Sequence, residues 1–163
     1  MGRQGRVLID QRRGLLPTTS LRSFEGCPAA LHHSLSSSPC QYDMSRSQFF
    51  QVSGIPEGTT QINVEFNDES YRPLSKDGGH GIIGFTVTPI DGAATLPSVP
   101  GYSTDLPEGA IVVAKARTRA PYDSIGYLPP CSGGMGNTYA AVVKALSADG
   151  TEVGNGRIVL GKY

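Results

Sequence analysis

The chain has no tryptophan, and only 17% of its 163 residues are charged. No apolar run approaches the roughly 20 residues that a membrane-crossing helix needs, which excludes a helical span. Fourteen basic and fourteen acidic residues cancel, so the surplus of positive charge that marks most nucleic-acid binders is missing, and nucleic acid is not an expected partner. The apolar stretches near the start, Val7 to Ile9 and Leu15 to Leu16, are short and interrupted by Arg12 and Arg13. They fall below the roughly 7–15 apolar residues of an export signal, so the chain as written reads as cytoplasmic. The paired C-x-x-C spacing of structural zinc is also absent. "CPAALHHSLSSSPC" sets His32 and His33 between Cys27 and Cys40 without it, so no metal is expected there. No cofactor is implied either. What the chain has in abundance is glycine (21) and proline (12), the punctuation of many short strands joined by turns, and the expected class is mainly β.

Charge and pattern divide the chain unevenly. Residues 1–40 hold five arginines against Asp10 and Glu25, a balance of +3 that leaves −3 for the remainder. This portion lacks sustained periodicity and ends in the linker-like "SLSSSP". The expected organisation is therefore a disordered extension over 1–39 and one domain over 40–163. Within that domain Ile62, Val64 and Phe66 alternate with Gln61, Asn63, Glu65 and Asn67, the period of a strand with one buried and one wet face. "GIIGFTVTPI" (81–90) and "AIVVAKART" (110–118) are richer in β-branched residues, and both are expected in the interior. "YAAVVKAL" could be helical from its alanines, but Ala148-Asp149-Gly150 followed by "GRIVLGKY" favours a β-hairpin. "IPEGTT" and "LPEGAI" use the same device before a strand, a proline that fixes φ and a glycine that permits a turn. Together these pieces predict a meander or Greek-key sandwich.

One segment is more elaborate than a turn requires. "YLPPCSGGMGNTY" (127–139) packs two prolines, a cysteine, three glycines and an asparagine between two strand-like stretches, whereas a hairpin needs only two residues. Taken in order, "FFQVSGIPEGTTQINVEFND", the pair His80-Gly81, "LPEGA" and "PPCSGGMGNTY" with its following strand resemble the phosphatidylethanolamine-binding protein family, in particular its bacterial Raf-kinase-inhibitor-like branch. The resemblance covers about Cys40 to Tyr163. It implies an antiparallel Greek-key β-sandwich with few short helices and a small anion-binding pocket where the histidine-glycine loop and the proline-rich loop meet. Carried over position by position, the pocket residues would be Asp68, His80, Gly81, Pro129, Pro130, Asn137 and Tyr139. Asn137 stands where the family usually has a second histidine.

The chemistry of that set suits a small anionic or phosphorylated ligand. Glycines let backbone N–H groups approach an anion, prolines stiffen a wall, and an imidazole beside a carboxylate would be held in one tautomer and favour its protonated form. Binding would then strengthen at mildly acidic pH, while Asn137 supplies a donor without a charge. Each residue also has a plainer reading: Asp68 as a turn former, His80 as an exposed loop residue, Tyr139 as simple packing. Because Cys40 opens the matched region and Cys131 lies in the pocket loop, the resemblance also suggests a Cys40–Cys131 disulfide. That bond would imply a periplasmic or secreted protein. The functional expectation is a non-enzymatic binding protein, a head-group binder or a kinase- or protease-inhibitor-like regulator that could also dock a protein partner. The alternatives are a hydrolase using His80 with Asp68, for which Ser132 and Cys131 match no activated-nucleophile motif, and a structural sandwich with a vestigial pocket.

Overall fold

Thr59–Asp68 forms a ten-residue strand with Ile62, Val64 and Phe66 turned inward, and the rest of the fold is arranged around it. The computed structural model describes residues 5–11, 47 and 49–163. Among them the strands are β1 (Gly5–Arg6), β2 (Leu8–Gln11), β3 (Phe50–Ser53), β4 (Thr59–Asp68), β5 (Ile82–Thr86), β6 (Ala93–Leu96), β7 (Ala110–Ala114), β8 (Thr138–Ser147) and β9 (Glu152–Lys162), with one short 3₁₀ turn at Arg72–Leu74. Six strands make one sheet in the order β1-β9-β8-β4-β5-β7, and three make a second in the order β2-β3-β6. Side chains from both sheets meet in a single core of Phe50, Val52, Leu96, Ile62, Val64, Ile83, Phe85 and Val143. The fold is a mainly β two-sheet sandwich, and none of its described helices is long and apolar enough to cross a membrane.

The hairpin reading of the last 25 residues holds. β8 and β9 pair antiparallel along nearly their whole length, and Gly150 takes φ +82° in the turn. Both proline-glycine devices deliver their chains into strands: Gly58 (φ +81°) precedes β4, and Gly109 (φ +77°) precedes β7.

Three expectations require correction. β7 is not interior. It ends the sheet among the described residues, and its alternation leaves Ile111 56% and Val113 44% exposed. A β-branched run signals a pleated surface, and whether that surface is covered depends on neighbours that the run does not encode. β4 wets its outer face only in its first half, since Glu65 and Asn67 are buried. Lys144 on β8 ion-pairs with Glu65 at 2.6 Å, and the backbone N–H of Gly79 donates to the Asn67 side-chain oxygen at 3.2 Å.

The third correction concerns the domain boundary. Residues 5–11, assigned by composition to an extension, belong to the sandwich: β1 pairs parallel to β9, and β2 pairs antiparallel to β3. Val7 sits between them with 3% exposure, and its N–H donates to the Asn155 carbonyl at 2.8 Å. The strand pairs are thus antiparallel apart from β1–β9. The remainder of the predicted extension, with Cys27, His32, His33 and Cys40, lies outside the described residues.

Candidate functional site

β4 and β8 lie in register with Asp68 opposite Tyr139, which places both side chains on the core-facing side of the sheet at one end of the sandwich. At that end the chain turns back on itself. Beyond β4 it passes through the 3₁₀ turn and returns at Gly78 to Gly81, where the His80 N–H donates to the Phe66 carbonyl at 2.8 Å and the Phe66 N–H donates to Gly81 at 3.0 Å. The glycines are required by space. A Cβ on Gly79 would stand 2.1 Å from the Leu74 carbonyl oxygen, and one on Gly81, at φ +107°, 2.8 Å from the Gly126 carbonyl oxygen. "DGGHG" is therefore a close approach of three backbone segments and not a loose loop, and His80 is only 4% exposed.

The proline-rich loop meets the histidine loop through the backbone. The Leu128 N–H donates to the His80 carbonyl at 2.8 Å, and Nδ1 of His80 lies 3.0 Å from the Leu128 carbonyl. A carbonyl can only accept, so Nδ1 carries the hydrogen and the neutral ring keeps its lone pair on Nε2. Pro129 follows buried and Pro130 half-buried. The Tyr139 ring stands edge-on to the His80 ring, centroids 5.2 Å apart, and the Tyr163 ring stands edge-on to Tyr139 at 5.8 Å. Tyr127 packs its ring on Phe66 at 4.3 Å.

Asp68 fulfils its plain reading and a second role together. Oδ1 accepts from the backbone N–H groups of Ser70 and Tyr71, as a turn aspartate does, while Oδ2 accepts from Nδ2 of Asn137 at 2.7 Å. Asn137 is thus held against the carboxylate. The Tyr163 N–H donates to the Asn137 carbonyl at 3.1 Å, and the Ser132 hydroxyl donates to the Tyr163 carbonyl. These bonds draw β9 and the glycine-rich loop over this end.

The electrostatics differ from the sequence expectation. Burial pulls the His80 pKa below its ordinary value, against smaller upward pulls from the Leu128 carbonyl and Asp68, so the ring is held neutral where a protonated one was expected. Burial, with Asp68 second, pushes the Tyr139 hydroxyl above the usual phenol value. That hydroxyl is buried and makes no hydrogen bond of normal geometry, although the Asp68 carboxylate and the Cys131 backbone N–H are close enough to act on it. Cys131 is disulfide-bonded, and Cys40, the partner that the resemblance suggested, lies outside the described residues.

All seven predicted residues fall at this end of the sandwich, with Asp68, Asn137, His80 and Tyr139 linked by direct contacts. Tyr127, Tyr163 and the Leu128 carbonyl were missed. Tyr127 and Leu128 open the quoted loop and could have been included, whereas Tyr163 arrives only through the β8–β9 register. Ser132 bonds to Tyr163 and Gly136, with no bond to His80. Among the described residues no three His, Cys, Asp or Glu side chains gather as a metal site. A separate surface recess of about 420 Å³, lined by Arg6, Leu8, Val142, Asn155 and Arg157 among others, includes none of the predicted residues, and Arg157 is already paired with Glu69 at 2.6 Å. No family model matches the chain, and no curated protein matches it significantly.

Proposed function

We propose that the protein is a non-catalytic binding module that receives a small anionic or phosphorylated group at the His80–Tyr139 end of the sandwich. The observation that carries this reading is the Tyr139 hydroxyl, buried beside the His80 ring and without a hydrogen bond of normal geometry. An unpaired buried hydroxyl costs about 1–3 kcal/mol, and an oxygen of an entering ligand would supply the missing partner. The resemblance of the ordered motifs to the phosphatidylethanolamine-binding protein family points to the same residues. Nucleophilic catalysis finds little support, because Cys131 is held in a disulfide and the Ser132 oxygen is bonded to Tyr163 and Gly136.

The test is a titration with inorganic phosphate and with phosphoethanolamine, following the His80 ring by NMR. Saturable shifts that weaken in Tyr139→Phe are the expected result. A ring that stays unperturbed by both compounds would leave a structural sandwich with a vestigial pocket, and turnover of simple esters that disappears in His80→Ala would replace the reading with a hydrolase.

A further inference from the structure

The donors and acceptors at this end are unequally supplied. The Leu128 carbonyl fixes the hydrogen of His80 on Nδ1, which leaves Nε2 as an acceptor, and no described residue donates to it. Asp68 can only accept, and one N–H of the Asn137 amide is turned onto its Oδ2, which leaves the other for a ligand. Tyr139 contributes one hydroxyl hydrogen. The titratable groups acting on this cluster are Asp68 on β4, Tyr139 on β8 and, around Tyr127, Tyr102 and Tyr163; no lysine or arginine is among them. Two arginines attached to neighbouring segments are engaged elsewhere: Arg117 donates to the carbonyls of Pro73 and Lys76, and Arg157 to Glu69.

A doubly charged anion entering here would find two donors, the Tyr139 hydroxyl and the second Asn137 N–H, against two acceptors, His80 Nε2 and the Asp68 carboxylate, with no cation among them. A singly charged oxyacid that still carries a proton matches the site better, because its own hydroxyl donates to Nε2 or to Asp68 while another oxygen accepts from Tyr139. We propose, resting on the functional reading above, that the site selects its ligand by protonation state, taking a phosphoryl group as the monoanion with its acid proton in place and rejecting dianions.

Phosphate monoesters lose their second proton near pH 6, so the monoanion population falls about tenfold per pH unit above that point. Sulfate has no proton to offer in the same range. Calorimetry on the full chain with phosphoethanolamine, sulfate and ethanolamine at pH 5.5, 6.5 and 8 separates the cases. The expected result is phosphoethanolamine affinity that drops about tenfold per unit on the alkaline side, with no sulfate binding at any pH. Asp68→Asn should admit sulfate. If that variant fails to fold, Tyr139→Phe should weaken phosphoethanolamine while still excluding sulfate. Sulfate binding that grows in acid would instead mean that His80 itself takes up the proton, and the proposal falls. It falls equally if phosphoethanolamine affinity is flat with pH or if ethanolamine alone binds as well. Should phosphoethanolamine fail to bind at every pH, the functional reading fails with it.

Discussion

At one end of the β4–β8 pair Thr59 faces Ser147 beside an exposed turn; at the other, Asp68 faces Tyr139, and these two are 3% and 2% exposed. Both ends carry polar groups, but they satisfy them differently. Around the turn the partners are local: the Ser147 hydroxyl donates to Asp149 two residues away, and the Thr151 N–H returns to the same carboxylate. At the far end they come from distant sequence, with Asn137 reaching Asp68 across 69 residues and Leu128 reaching His80 across 48. Local, solvated bonds tolerate substitution, whereas long-range buried bonds leave an orphan when either partner goes.

The sharpest way to test that contrast is with glycine. Gly81→Ala places a Cβ 2.8 Å from the Gly126 carbonyl oxygen at φ +107° and should cost about 3 kcal/mol in urea unfolding. Gly150→Ala, also at positive φ but with nothing within 4 Å, should cost only about 1 kcal/mol. Equal losses would erase the distinction between the ends. Asp68→Ala follows in size, since it strands the Asn137 amide and two backbone N–H groups, and about 2–3 kcal/mol should be lost by the same measurement.

His80 gives a pH signature. Its folded pKa lies below the unfolded value, so the unfolded chain binds the extra proton as pH falls through about 6.5, and stability should decline there by at most about 1.4 kcal/mol per pH unit. Folded stability measured between pH 7.5 and 5 should lose that share of its slope in His80→Gln; a slope that persists unchanged assigns the effect to other groups. Smallest of all, Arg157→Ala breaks an ion pair in which both side chains are substantially exposed and should shift stability by no more than about 0.5 kcal/mol.

The contrast also shows what a sequence can disclose. β4 was legible because its alternation is a local property, and the β8–β9 hairpin because its turn residues announce it. β1 and β2 were not. A two-residue strand and a four-residue strand carry little periodicity of their own, and β1 finds its partner about 150 residues later along β9. The exposure of β7 was equally hidden, because its outward neighbours are not part of its own pattern. At the candidate site His80, Asp68, Asn137 and Tyr139 were named only through the resemblance of the ordered motifs, since His80 by its own pattern reads as an exposed loop residue and Asp68 as a turn former. The bonds between them were not foreseen: the Asn137–Asp68 bond, the Leu128 carbonyl that selects the His80 tautomer, and the arrival of Tyr163 all depend on strand register.

Val7 carries a practical lesson. The chain leaves one sheet at Arg6, buries Val7 between the layers and enters the other sheet at Leu8, so these few residues stitch the two layers together along one open side. A shortened protein beginning at residue 40, the start that composition recommends, would uncover one flank of β9 and one of β3 at once. Bare strand flanks recruit strands from other molecules, and such a protein should be recovered as soluble aggregates on size-exclusion chromatography, with the full-length chain running as the smaller species.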